Sequence, residues 1–238
     1  MLEIKSHKRI NDILLGPIER PALSWLAAHM PAWVNPDMLT GVGVFGSLVI
    51  FAGYCLTYFD KNFLWLASLG FVLNWFGDSL DGTLARHRDI QRPRYGFFVD
   101  HTVDAVSEVL VFLGLGISPF VRMDVACLAL IGYLLMSILV YVRTCVNGEF
   151  KISYTKIGPT EMRVIAILAN TLVYIIGNPV IKVLWVSATV YDVITLIIAI
   201  LLMVFFLVSA ITQAVRLSRL DIPAKGMAVG KTFSKTQS

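Results

Sequence analysis

Residues 78–104 read "DSLDGTLARHRDIQRPRYGFFVDHTVD". Five aspartates fall in this stretch, yet the chain on both sides of it is strongly apolar. In a helix, Asp78 and Asp81 lie three residues apart and share a face. Gly96, Asp100 and Asp104 recur every four residues and share another, with Glu108 one turn deeper. Residues 87–95 make a short connection, so the two helices are expected as antiparallel neighbours. Asp78, Asp81, Asp100 and Asp104 would then converge at one membrane depth.

Composition sets this motif in a bilayer. Of 238 residues, 57% are hydrophobic and only 15% charged, with a mean hydropathy of +0.74. A soluble domain would be nearer a quarter charged. Apolar runs at 39–58, 63–80, 96–120, 125–145, 163–184 and 188–213 approach or exceed the ~20 residues that cross ~30 Å of hydrocarbon. The fold class is therefore an all-α membrane protein. Six transmembrane helices over 35–215 are expected to follow a leader, 1–34, whose "INDILLGPIERPALSWLAAHMPAW" reads as an amphipathic interfacial helix broken by Pro17 and Pro21, with Trp25 and Trp33 at headgroup level. The first residues lack the apolar run and cleavage site of a secretory signal. The tail 216–238 has little to bury and reads as disordered. Cys55, Cys127 and Cys145 stand singly and read as free buried thiols.

Charge sets the orientation. Of the 20 Lys and Arg residues, all but Lys61, Arg122 and Lys182 fall in segments on one side of these spans. By the positive-inside rule that side is cytoplasmic, and both termini and the carboxylates lie there, in the cytoplasmic membrane. The pI of about 9.0 thus reflects topology and anionic lipid, and no nucleic-acid partner is implied.

Carboxylates this close repel unless something neutralises them. An oxygen-only donor set suits Mg²⁺, Mn²⁺ or Ca²⁺, and shared ligands suit a pair of divalent ions that clamp phosphate oxygens. Gly82 and Ala85, four and seven residues after Asp78, keep that face bare. Arg86 offers a bidentate fork for phosphate.

The pattern D-x2-D-G-x2-A-R, a short gap, then G-x3-D-x3-D resembles the signature of the CDP-alcohol phosphotransferase (CDP-alcohol phosphatidyltransferase) family. It is carried here by Asp78, Asp81, Gly82, Ala85, Arg86, Gly96, Asp100 and Asp104. The nine-residue gap from Arg86 to Gly96 is longer than usual. "NPDMLTGVG" resembles the family's opening of its first span, with Asp37 where Asn is usual. The resemblance implies transfer of a phosphorylated group from a CDP-linked donor to an alcohol, with release of CMP. It also implies two divalent cations, Mg²⁺ or Mn²⁺, held by Asp78, Asp81, Asp100 and Asp104, with Asp104 doubling as a candidate base. Asp81, Gly82, Ala85 and Arg86 would contact the CDP with Thr40, and Gly96 would leave room beside it.

The acceptor is less legible. Arg143, Lys156, Glu161 and Arg163 lie at helix ends on the same side and could frame a pocket for a phosphorylated acceptor, which goes with a CDP-diacylglycerol donor. "DHTVD" resembles instead the choline and ethanolamine branch, which makes His101 a second candidate base and diacylglycerol the acceptor. Glu108 reads as hydrogen-bonded structure. Partners are the CDP-linked donor and a lipid substrate, and a homodimer is compatible with such a chain. A cation or proton transporter is the non-enzymatic alternative, but transport sites prefer the bilayer midplane and would not welcome Arg86.

Overall fold

The computed structural model describes residues 14–147, 158–183 and 186–220. Lys156, the start of the leader and the tail after Leu220 lie outside the described residues. The described residues form seven helices and one hairpin. They are α1 (Gly16–His29), α2 (Pro36–Leu56), α3 (Phe63–His87), α4 (Pro93–Ile117), α5 (Met123–Asn147), α6 (Pro159–Ile176), β1 (Val180–Val183), β2 (Val186–Thr189) and α7 (Val190–Leu220).

Among the described residues five helices, α2, α3, α5, α6 and α7, are long and apolar enough to cross a membrane. α4 has the length, 25 residues, but Asp100, Asp104 and Glu108 interrupt its apolar run. The expected span 96–120 is thus a bundle helix set apart by its carboxylates. The expected span 163–184 stops early because Gly177 takes φ +85°, a left-handed conformation, and Asn178 and Pro179 follow. The β-branched residues beyond pair as an antiparallel hairpin, Val180 opposite Thr189 and Val183 opposite Val186. That hairpin of two four-residue strands is a small addition to an otherwise helical membrane fold.

α1 is amphipathic as expected, but its prolines do not break it. Pro17 occupies the first turn, where no N–H is needed, and the helix runs on through Pro21. Gly16, Glu19, Leu23 and Ala27 face inward. Ile18 and Trp25 stay exposed on the other side, together with Leu14 and Trp33 just beyond the helix ends, the face an interfacial helix turns to lipid.

The α2–α3 contact positions the site. Asn35 caps α2 by accepting the Met38 N–H at 2.9 Å, and Pro36 starts the helix. Glycines then let the two backbones touch. A Cβ on Gly46 would lie 2.4 Å from the Asn74 nitrogen, and one on Gly77 would lie 2.2 Å from the Gly43 nitrogen. Without hydrophobic drive between helices in lipid, such small-residue contacts carry the association. Gly46→Ala is therefore expected to cost about 1–3 kcal/mol by overpacking, whereas Gly41→Ala, with nothing within 4 Å, should be near neutral. Unfolding of both variants in mixed micelles checks this.

The helices pack in the order α6–α3–α2–α4–α5–α7, and α1 lies on α3. α4 therefore leans on α2 and α5. The short loop after α3 does not make α3 and α4 packed neighbours, contrary to the sequence expectation. The space between them is a cavity.

Candidate functional site

That cavity measures about 2420 Å³, and its lining includes Asp78, Asp81, Asp100 and Asp104. On the α3 wall, Asp81 accepts the Thr40 hydroxyl at 2.6 Å and the Gly82 N–H at 2.5 Å. Asp78 accepts Arg163 Nη2 at 2.6 Å. Arg163 Nε in turn donates to Asn74 Oδ1 at 2.8 Å. Asn74 Nδ2 donates to the Gly43 carbonyl and to Ser47 Oγ, both at 3.0 Å. A carbonyl only accepts, so the Asn74 amide has one orientation, with its oxygen towards Arg163. The close α2–α3 contact thus sets the rotamer of a side chain on α6.

On the α4 wall, ligand atoms of Asp100, His101 and Asp104 lie within 4.8 Å of one another. His101 Nδ1 is 3.4 Å from Asp100 Oδ2. Its ring stacks on Tyr141 at 4.9 Å and meets the edge of Phe97 at 4.2 Å. Glu108 accepts Ser137 Oγ at 3.2 Å, in line with its structural reading. α3 and α4 thus contribute two aspartates each to the lining of one cavity. The four are electrostatic neighbours. Asp78 and Asp100 act on Asp81, and Asp78, Asp100, Arg163 and Glu108 act on Asp104.

Ala85 and Arg86 line the same cavity, and Arg86 Nη2 donates to Thr83 Oγ1 at 3.1 Å. Gly82 keeps room for that guanidinium, since a Cβ there would sit 3.3 Å from Arg86 Nη1. Gly96 has nothing within 4 Å, as a position beside a ligand would.

Of the expected acceptor set, Lys156 lies outside the described residues, and among the other three only Arg163 lines the cavity. Glu161 is buried and spends its oxygens on backbone, taking the Gly158 N–H at 2.8 Å as a helix cap and the Leu15 N–H at 2.8 Å. It ties α6 to the start of α1 and does not line the cavity. Arg143 is absent from the cavity lining. Arg163 lines the cavity but turns its fork to Asp78 and Asn74, and it forms no pair with Glu161.

Several residues escaped sequence reading. Asn74 is one. Glu19 is another: its Oε1 accepts Trp75 Nε1 and Thr160 Oγ1, both at 2.8 Å. Arg88 clamps the chain after α1 through the carbonyls of Val34 at 2.5 Å, Met30 at 2.8 Å and Pro31 at 2.9 Å. Arg92 pairs with Asp37, which joins the start of α2 to the approach of α4. A charged Glu19 on the inward face of α1 was a signal available in advance. The partners of Arg88 were not, since backbone carbonyls leave no mark in sequence.

Residues 33–215 match the CDP-alcohol phosphatidyltransferase family. The chain belongs to that family. It is similar to a phosphatidylinositol phosphate synthase of Cutibacterium acnes, 31% identical over 90 residues, which are 38% of this chain and 41% of that protein. It is similar to an archaetidylinositol phosphate synthase of Pyrococcus horikoshii, 32% identical over 104 residues, 44% and 52% of the two chains. Cholinephosphotransferase 1 of Mus musculus is 29% identical over 128 residues, 51% of this chain and 31% of that protein. The chain spans about half or less of the length of these relatives.

Proposed function

We propose that this member of the CDP-alcohol phosphatidyltransferase family transfers a phosphorylated group from CDP-diacylglycerol to an alcohol and releases CMP. The observation that carries the reading is one cavity lined by Asp78, Asp81, Asp100 and Asp104 with Arg86 beside them, all within the stretch 33–215 that matches the family.

The donor set fits the divalent cations the family uses. It is carboxylate oxygen with one imidazole nearby, which suits Mg²⁺ or Mn²⁺. Asp78, Asp81, Asp100 and Asp104 would hold two ions. Arg163 occupies Oδ2 of Asp78 and leaves Oδ1 for a cation. Cations held there would supply charge neutralisation to the donor's diphosphate.

Thr40 and Gly82 hold the Asp81 carboxylate in place. Arg86 takes donor phosphate oxygens by charge-assisted hydrogen bonds. The acceptor hydroxyl oxygen forms a bond to the phosphorus remote from cytidine, the pyrophosphate P–O bond breaks, and CMP leaves with that electron pair. The hydroxyl proton passes to Asp104, which lines the cavity among these groups. Apolar residues deeper in the cavity, among them Phe71, Val111, Leu115 and Ile198, suit acyl chains.

A second reading keeps the site and changes the substrates. His101 beside Asp100 and the cholinephosphotransferase relatives favour transfer from CDP-choline or CDP-ethanolamine to diacylglycerol, with His101 as base. The cluster of Arg20, Arg86, Arg88, Arg92 and Arg94 at this end supports a cytoplasmic active site in an inner membrane.

The test is CMP release by the purified protein in detergent with Mn²⁺ or Mg²⁺, across a panel of CDP donors and acceptors. Release from CDP-diacylglycerol with a phosphorylated polyol, stopped by EDTA, is expected. Release confined to CDP-choline or CDP-ethanolamine with diacylglycerol selects the second reading. No release from any donor refutes both.

A further inference from the structure

α1 lies outside the residues that match the family, 33–215, and an interfacial anchor needs only an apolar face towards lipid. Its attachment here is far more specific. Glu19 is buried and bound to α3 through Trp75 and to α6 through Thr160. The Leu15 N–H is held by Glu161, and Arg88 grips three carbonyls just after the helix. Leu23 and Ala27 pack with Leu80 and Leu84 of α3. Both ends and the middle of the helix are thereby fixed against the catalytic wall.

The fixed helix presents Arg20 and Ser24 to the cavity. They are four residues apart on one face, and both line the same space as Thr83 and Arg86 of α3. A smaller cavity of about 270 Å³ between the two helices is lined by Ser24, Ala27, Thr83, Arg86 and His87. Two guanidiniums and two hydroxyls brought to one wall by separate helices match the donor chemistry of phosphate oxygens.

We propose that α1 is part of the substrate site, with Arg20 and Ser24 binding a phosphate oxyanion together with Arg86. The inference deepens the transfer reading and relies on it only for the role of that oxyanion in turnover. The oxyanion is either a phosphate of the cytidine nucleotide or the phosphate of a lipid headgroup.

Calorimetry on the full chain in detergent separates these sources without any turnover. CDP, cytidine and phosphatidylglycerol in mixed micelles are each titrated into wild type, Arg20→Ala, Arg20→Lys and Ser24→Ala. Losing one charged hydrogen-bond partner should weaken binding about tenfold or more. If the nucleotide is the source, Arg20→Ala weakens CDP binding by that factor and leaves cytidine unchanged, and Arg20→Lys recovers part of the loss. If the lipid is the source, the loss appears with phosphatidylglycerol alone. Arg20 is exposed, so its variants should fold as wild type does. Unchanged affinity for both CDP and phosphatidylglycerol in Arg20→Ala overturns the proposal. So does an equal loss for cytidine, which would mean that the variant disturbs the fold. Absence of CMP release with these affinities intact would count against the transfer reading and not against this one.

Discussion

Asp100→Asn is expected to lower CMP release by at least about a thousandfold, the scale on which removing one transition-state charge partner acts. Asp100 borders the cluster with His101 and Asp104, and its carboxylate is 36% exposed with His101 Nδ1 3.4 Å away. Its loss should therefore leave unfolding nearly unchanged. Asp78→Asn should lose activity to the same degree but also stability, since it strands the Arg163 guanidinium. Glu108→Gln keeps the Ser137 contact and should retain transfer within about tenfold. Initial rates and unfolding in mixed micelles measured on the same preparations decide the matter. Full turnover of Asp100→Asn would remove the α4 wall from the site.

Arg163→Ala is expected to lower stability by about 3 kcal/mol, the cost of removing one partner from a buried pair. The two side chains are only 13% and 21% exposed, so solvent screening relieves little of that. Asp78 would lose its cation and Asn74 Oδ1 its donor. The transfer rate should fall with stability, because the orientation of Asp78 goes too. Arg163→Lys keeps the charge but cannot reach both partners, and should recover only part of each loss. A phosphate-binding role gives a different pattern, a rise in acceptor KM with stability and kcat preserved. Saturation curves varying donor and acceptor, paired with unfolding data, distinguish the two. A pure KM effect would sink the counter-ion reading taken from the structure.

Local rules carried a great deal of this. The spacing of Asp78 with Asp81, and of Asp100 with Asp104, follows from the helical repeat alone. The turn at Gly177-Asn178-Pro179 was also written locally, yet the apolar run around it masked the stop signal. Glu161 illustrates the limit. A carboxylate three residues after Gly158 and next to Pro159 suits a helix cap, but its second bond, to Leu15, joins positions 146 residues apart and no periodicity reports it.

The sequence by itself determined the membrane class and the helix ends on which the aspartates lie. Each depends on composition or on residues within a turn or two of one another. Tertiary structure alone decided that α4 leans on α2 and α5, so that the carboxylates face a cavity from two walls. It also decided that Arg163 serves Asp78 and that α1 lies along the site. These outcomes depend on which helices touch. In a bilayer that choice is made by close backbone approach at residues such as Gly43, Gly46 and Gly77, and by pairing polar groups that lipid cannot satisfy.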